Sequence, residues 1–137
     1  MQDYKNPKYK LNYALADATA FKAQMILGSQ SIFDKTEIIY LSDSKVSKQG
    51  ITDAFKTIQA KAKATDVFVF YYAGHGVMSE EQNPEFFIVP YDVTQLYGNR
   101  EILRSKGVSA KELQTFSKEL KAQNSFLYSM LVRVAEW

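Results

Sequence analysis

The stretch that decides the fold covers residues 66–76 and reads Asp66-Val67-Phe68-Val69-Phe70-Tyr71-Tyr72-Ala73-Gly74-His75-Gly76. Its first part is apolar without alternation, which is typical of a strand buried on both faces of a parallel sheet. Two glycines follow this run, with the single histidine of the chain between them. In open parallel sheets, ligands bind at the carboxyl ends of the strands. The sequence therefore predicts a central strand that ends at a candidate functional residue, His75.

Helical and strand patterns alternate around this central run. The predicted elements, in chain order, are a helix over residues 11–27 with Gly28 as its C-cap, a strand over 37–41, a helix over 47–64, the central strand, a strand over 85–89 ended by Pro90, and a helix over 109–122. Ser109 and Glu112 have the spacing of a capping box at the start of the last helix, and residues 92–107 are predicted to be a loop. This order predicts an α/β domain, doubly wound as a three-layer sandwich around a mainly parallel sheet.

Composition excludes several classes of function. The chain has 137 residues, 46% of them hydrophobic, which fits one globular domain. Its 17 basic and 15 acidic residues are spread along the chain, so we expect no nucleic acid partner. No apolar run approaches the roughly 20 residues of a membrane-spanning helix, and the N-terminus is polar rather than signal-like. We expect a soluble, cytoplasmic protein with no membrane partner.

The chain contains no cysteine and one histidine. This composition excludes disulfides and thiolate metal ligands and makes a histidine-based zinc site implausible, so we expect no metal and no cofactor. It also removes cysteine as a nucleophile.

His75 and its two flanking glycines are the strongest candidates for chemistry. An imidazole at the end of a buried strand can act as a general base near neutral pH. Glycines there allow positive φ and close approach of a substrate backbone, and the Gly76 amide is placed to face a developing oxyanion. The plainer alternative is that His75 is a loop residue hydrogen-bonded to a neighbour.

The segment from Phe70 to Gly76 resembles the catalytic His-Gly motif of the caspase and metacaspase family of cysteine peptidases. Three other segments agree in order: residues 14–18 resemble the start of the family's first helix, 86–92 its strand after the histidine, and 108–113 the start of its next helix. The resemblance covers about residues 4–123, which we interpret as a partial caspase-like domain with the caspase-haemoglobinase type of fold.

The resemblance implies a peptidase in which His75 activates a cysteine thiol and Gly76 contributes an amide to the oxyanion hole. It implies a peptide or protein substrate. It also implies two missing parts, because the family's first strand precedes the segment that residues 1–4 resemble, and its nucleophile follows the helix that begins at Ser109. We therefore expect a fold that lacks its first strand, and a chain that is inactive as written.

The tail over residues 124–137 departs from the family pattern, and we interpret it as frameshifted. If each codon's last base is joined to the next codon's first two, suitable synonymous codons re-read Asn124 to Trp137 as Gln-Phe-Phe-Ile-Leu-Asp-Ala-Cys-Gln-Ser-Gly-Gly-Met. This is an apolar strand followed by a nucleophile motif of the family type. Loss of one adenine from a lysine codon after Gln123 would produce the observed tail.

Several alternatives remain at this point. The chain is a non-catalytic pseudopeptidase that binds peptide or protein partners, or an unrelated flavodoxin-like or nucleotide-binding α/β module, although it has no phosphate-binding glycine loop. Asp92 is a candidate substrate contact or a turn residue, and Asp17 lines a pocket or is a partly buried, hydrogen-bonding helix residue. With the frame restored, the resemblance favours cleavage after basic residues. The sequence leaves the oligomeric state open.

Overall fold

The computed structural model describes residues 1–122 and the backbone of residues 124–132. The helices are α1 (Ala14–Ser29), α2 (Lys48–Lys61), α3 (Arg100–Lys106) and α4 (Ala110–Lys118), and the strands are β1 (Val67–Met78), β2 (Phe86–Ile88), β3 (Val108–Ser109) and β4 (Asn124–Val132). Short 3₁₀ turns cover Pro7–Tyr9 and Asp43–Lys45. None of the helices in this described part is long and apolar enough to cross a membrane.

The strands form one sheet in the order β3-β2-β1-β4. β1 and β4 are parallel, whereas β1–β2 and β2–β3 are antiparallel. The prediction of a mixed α/β fold is confirmed, but the described sheet is mixed rather than mainly parallel. The connection from Ser79 to Glu85 is shorter than the dozen or so residues that a parallel crossover needs, so β2 returns beside β1 as a hairpin.

Residues 37–41, predicted as a strand, have no regular secondary structure and pair with no strand in the described part of the chain. Ile38, Ile39 and Tyr40 are 40%, 43% and 40% exposed. β-branched and aromatic residues favour a strand only where a neighbouring strand offers hydrogen bonds and a packing surface. Among the described residues no strand offers those hydrogen bonds to residues 37–41, and the prediction of a strand is wrong here.

The helix predictions are mostly confirmed. Ser47 caps α2 by accepting the Gly50 N–H, and the capping box of Ser109 and Glu112 is present at the start of α4. Gly28 was expected to end α1, but it lies inside the helix, which continues to Ser29. The predicted loop over 92–107 contains α3, whose N-cap is Asn99.

Helices pack on both faces of β1. On one face, Phe55 of α2 lies with its ring centroid 5.5 Å from that of Phe68 and 5.6 Å from that of Phe70. On the other face, Phe21 of α1 stacks on Tyr71 with a centroid distance of 4.0 Å. Side chains alternate along a strand, so the odd-numbered residues of β1, His75 included, face α1.

The two edges of β1 differ. β4 pairs with one edge from Val67↔Asn124 to His75↔Val132, so this edge is covered along nine residues of β1. On the opposite edge, β2 pairs only with Gly76 to Met78. No strand of the described chain pairs with residues 67–73 on this second side.

Candidate active site

His75 lies within β1 and not in a loop after it, because β1 continues to Met78. Pairing with β4 ends at His75, and pairing with β2 begins at Gly76 on the opposite edge. The predicted position after the strand is therefore corrected. The hairpin to β2 extends β1 to Met78, whereas the described pairing with β4 reaches as far as His75.

The His75 ring is buried, and its contact with a backbone carbonyl oxygen shows which ring nitrogen carries the hydrogen. Its side chain is 4% exposed, and Nε2 lies 2.7 Å from the Tyr9 backbone carbonyl oxygen. A carbonyl oxygen can only accept, so Nε2 carries the hydrogen and donates it. In the neutral ring Nδ1 then holds the lone pair, which makes Nδ1 the atom that accepts a proton.

Two tyrosine hydroxyls hold the His75 backbone. The His75 N–H donates to the Tyr4 hydroxyl at 2.8 Å, and the Tyr72 hydroxyl donates to the Val89 carbonyl at 2.7 Å. The two hydroxyl oxygens are 3.4 Å apart. Since Tyr72 uses its hydrogen on Val89, Tyr4 donates to Tyr72, and the chain runs in one direction from the His75 N–H to the Val89 carbonyl. Burial raises the pKa of Tyr4 and raises that of Tyr72 well above 10, which keeps both hydroxyls protonated.

Gly74 is required for packing and not for an unusual backbone conformation. Among the described residues the only glycine with positive φ is Gly98, so Gly74 and Gly76 do not use the positive φ that glycine allows. A Cβ on Gly74 would lie 2.4 Å from the Tyr72 hydroxyl and 2.9 Å from that of Tyr4. The missing side chain makes room for the tyrosine pair that holds His75.

Gly76 is half-buried and forms a register pair with Ile88 of β2. The His75 carbonyl accepts the Val89 N–H on the β2 side. Because backbone groups of successive strand residues point to opposite edges, the Gly76 N–H points to the β4 side, beyond the last paired residue, Val132. Its role as an oxyanion donor stays a prediction.

The two candidate aspartates lie in different places. Asp17 is in the first turn of α1, half-buried, and its charge contributes to the raised pKa of Tyr71, behind the larger effect of burial. α1 covers the face of β1 that carries His75, so Asp17 is on the same side of the sheet. Asp92 instead lines a cavity of about 450 Å³ with the first turn of α2 and the end of α3, and His75 and Asp17 are not among the residues lining it.

One Asp92 carboxylate oxygen, Oδ1, is buried without a hydrogen-bond partner among the described residues. The other, Oδ2, is 4.0 Å from the Lys106 ammonium. The substrate roles of both aspartates stay predictions. No group of three or more acidic, histidine or cysteine residues in the described ranges is arranged to hold a metal ion.

Sequence reasoning missed Tyr4 and Tyr9. Tyr9 acts through its backbone carbonyl, which every residue has, so no motif could identify it. Tyr4 is separated from His75 by 71 residues, and its ring centroid lies 4.9 Å from that of the imidazole. Only the path of residues 1–11 across the end of β1 brings both tyrosines to the histidine.

Known proteins share a family model and a fold with this chain. The model of the metacaspase, peptidase C14 domain matches residues 3–122. No curated protein matches the chain at a significant level. Among solved structures, a crystal structure of a protein from Geobacter sulfurreducens has a TM-score of 0.62 at 16% identity, a likeness of fold alone. The match covers 96% of this chain and 47% of that one, so the chain spans about half the length of that protein. With its histidine motif in the matched region, this chain belongs to the metacaspase, peptidase C14, family.

Proposed function

We propose that this chain carries the histidine half of a caspase-like cysteine peptidase site, in a doubly wound fold whose first strand is absent, and that the chain as written does not cleave peptides. The observation that carries the proposal is the 2.7 Å contact between His75 Nε2 and the Tyr9 carbonyl. It holds a buried ring in a fixed orientation with its hydrogen on Nε2, which is the tautomer that a general base acting through Nδ1 requires.

A cysteine thiol near Nδ1 would complete a dyad. His75 would take the thiol proton, and the thiolate would add to the peptide carbonyl carbon while the Gly76 N–H stabilises the oxyanion. Collapse of this intermediate breaks the C–N bond, and Nδ1 returns its proton to the leaving amine. Because the chain contains no cysteine, this sequence of steps has no nucleophile here.

The register of β4 supports position 132 as the place of the missing nucleophile. Val132 pairs directly with His75. If the lost adenine restores a lysine codon at position 124, the regrouped tail places its cysteine at position 132. Neighbouring strands are about 4.8 Å apart, and paired residues project to the same face, so a cysteine at this position is expected within reach of His75.

The first test is therefore a single substitution, Val132→Cys. We expect its thiol to react with iodoacetamide faster at pH 6–7 than an ordinary thiol, because a neighbouring imidazolium lowers a thiol pKa. His75→Ala in the same variant should abolish the acceleration. Leu131→Cys, one register position away and on the opposite face, is the matched control. Equal rates for the two cysteines, or no effect of His75→Ala, would contradict the proposed site.

The second test is cleavage of fluorogenic peptides with Arg, Lys or Asp at P1. This chain should cleave none of the peptides. A version with the regrouped tail and an added first strand should cleave them, with a preference for basic P1 residues. His75→Ala in that version should abolish cleavage. Asp17→Asn in the active version tests the proposed substrate contact and should reduce basic-residue preference.

A second candidate function is a non-catalytic domain that binds peptide or protein partners. Two observations favour it: the absence of cysteine, and a histidine site held in place without a nucleophile. If the version with the restored tail cleaves no peptide, and this chain binds the same peptides in a saturable way, the results would support this candidate over the peptidase.

A further inference from the structure

The carbonyl that contacts His75 belongs to the short 3₁₀ turn Pro7–Tyr9. Inside the turn, the Tyr9 N–H donates to the Asn6 carbonyl at 3.1 Å. The Tyr9 carbonyl comes at the end of the turn, where carbonyl groups have no acceptor role within the turn itself. Its partner is instead His75 Nε2, at 2.7 Å. The direction of this hydrogen bond therefore depends on how the turn is held.

Three residues form too few hydrogen bonds to hold such a turn by themselves. Pro7, at the first position, fixes one backbone angle of the turn. The ion pair of Lys10 with Asp3, at 3.3 Å, joins two side chains that are more than half exposed, so it contributes little. The position of the Tyr9 carbonyl therefore depends on contacts that join the turn to the rest of the fold.

The Asn6 side chain makes hydrogen bonds in two directions. Its Oδ1 accepts the Lys8 N–H at 3.1 Å, which caps the start of the turn. Its Nδ2 donates to the Thr94 carbonyl at 2.9 Å, across 88 residues of sequence. A side-chain amide can do both at once, because it carries an acceptor and a donor on the same carbon. Asn6 therefore closes the turn and joins it to a distant loop.

The loop that Asn6 reaches is packed into the core. Val93 and Leu96, on either side of Thr94, are 0% and 4% exposed. The Tyr91 N–H, near the start of the loop, donates to the Val46 carbonyl at 2.8 Å. Buried side chains in a close-packed interior have little freedom to move. The Thr94 carbonyl is thus a fixed point to which the turn is attached.

Two other hydrogen bonds join this part of the chain to the same loop. The Lys5 N–H donates to the Tyr91 carbonyl at 3.0 Å, but this bond precedes the turn and leaves the turn free to rotate after it. The Leu96 N–H donates to the Tyr9 hydroxyl at 3.4 Å, which is beyond the usual range of a strong hydrogen bond. The shorter bond of Asn6, at the first residue before the turn, is the one that fixes its orientation.

We propose that Asn6 is a positioning residue for His75. By joining the turn to Thr94, it keeps the Tyr9 carbonyl on the Nε2 hydrogen, and this contact keeps the ring in the orientation that a general base acting through Nδ1 requires. Its effect reaches the ring through Tyr9. The consequence for catalysis rests on the proposed function, because the orientation of the ring matters for cleavage only where a nucleophile is present.

The experiment follows the Nε2 hydrogen of His75 by NMR in the full chain labelled with ¹⁵N. The chain has a single histidine, so the ring signals belong to one residue. A buried ring N–H that is bonded to a carbonyl exchanges slowly with water, and exchange accelerates when the contact opens. We expect Asn6→Ala to accelerate it by about tenfold or more. Asn6→Asp keeps an acceptor for the cap but has no N–H for Thr94, and should also accelerate it.

Asn99→Ala is the matched control. Asn99 caps α3 by accepting the Ile102 N–H at 3.1 Å, so its loss removes the same kind of cap and should leave the ring exchange unchanged. If Asn6→Ala fails to fold, Asn6→Asp decides. Exchange at the wild-type rate in Asn6→Asp would overturn the proposal, because the bond to Thr94 would then be dispensable. Equal acceleration by Asn99→Ala would also overturn it, as would a wild-type ring N–H that exchanges too fast to be observed.

The thiol of Val132→Cys separates this role from the proposed function. If that thiol reacts like an ordinary one, the proposed function fails, while the exchange rates still decide the role of Asn6. If it is accelerated by His75, adding Asn6→Asp should slow it. In the version that cleaves peptides, Asn6→Asp should lower kcat by about tenfold with little change in KM, a split that lost stability alone does not produce. An unchanged kcat beside faster ring exchange would overturn the role of Asn6 in catalysis.

Discussion

At the residue scale, His75 is fixed by groups from a distant part of the sequence. The Tyr9 carbonyl binds Nε2 and the Tyr4 hydroxyl accepts the His75 N–H. One contact sets the tautomer of the ring and the other holds the backbone on which the ring is carried. A general base needs both, because a ring in the wrong tautomer or orientation cannot accept the proton.

Tyr4→Phe should destabilise the protein by about 1–3 kcal/mol, because it leaves the buried His75 N–H without an acceptor. Urea unfolding measures the change in free energy. Tyr13→Phe is the control, since Tyr13 is 74% exposed and should change stability little. Equal effects of the two substitutions would contradict the assigned role of Tyr4.

Because the Tyr72 hydroxyl is buried, we expect the protein to lose stability at alkaline pH. Burial raises its pKa well above 10 in the folded protein, whereas the unfolded chain ionises near 10. The stability that depends on the neutral hydroxyl is therefore complete below pH 10 and is lost as pH rises toward the folded pKa. Between about pH 9 and 11, the free energy of unfolding should fall more steeply for the wild type than for Tyr72→Phe. Parallel curves would argue against this assignment.

Alanine substitutions at Gly74 and Gly28 should change stability in opposite directions, because Gly74 is needed for packing and Gly28 only lowers helix propensity. Gly74→Ala places a Cβ 2.4 Å from the Tyr72 hydroxyl and should destabilise by about 1–3 kcal/mol. Gly28→Ala meets nothing within 4 Å and lies inside α1, so it should stabilise by up to about 1 kcal/mol. Thermal unfolding of the two variants should give shifts of opposite sign.

At the scale of elements, α4 is held at its start by hydrogen bonds in both directions. Ser109 accepts the Glu112 N–H at 3.1 Å, and the Glu112 carboxylate accepts the Ser109 N–H at 2.9 Å. Partial burial works to raise the pKa of Glu112, but bonds from Lys48 and Ser109 outweigh it and lower the pKa. The capping box thus joins the helix start to α2 through Lys48.

Ser109→Ala should cost about 0.5–2 kcal/mol of stability through the lost cap. Ser117→Ala, the same change later in α4, is the control and should be neutral or slightly stabilising, since alanine has the better helix propensity. Chemical denaturation of both variants measures the difference. A Ser109→Ala variant as stable as Ser117→Ala would rule out the cap as a source of stability.

At the scale of the whole molecule, β1 is hydrogen-bonded to a neighbouring strand along one of its sides but only in part along the other. β4 pairs with nine residues of β1 from Val67 to His75, while residues 67–73 lack a strand on the opposite side within the described chain. An unpaired apolar strand edge lowers stability, and it can pair with strands of other chains when the helices that cover it partly unfold.

We therefore expect heating to give a broad transition followed by aggregation, monitored by circular dichroism and light scattering. Ile39→Lys should raise the temperature at which aggregation begins, because it adds charge to an exposed apolar segment. A reversible, cooperative melt of a monodisperse monomer would contradict this expectation.

The sequence by itself determined the features that depend on local chemistry: the central apolar run, the capping box at Ser109, the helices α1, α2 and α4, and the histidine motif. It also determined the absence of a nucleophile, since composition alone decides that. Only the tertiary structure decided the rest. Residues 37–41 have strand propensity but no partner strand in the part of the chain that the structure describes, β2 is antiparallel because its connection is short, and Gly74 is needed because two hydroxyls occupy its side-chain space. The carbonyl that orients His75 comes from Tyr9, 66 residues away. Contacts of this kind depend on where the folded chain passes, and no local pattern encodes them.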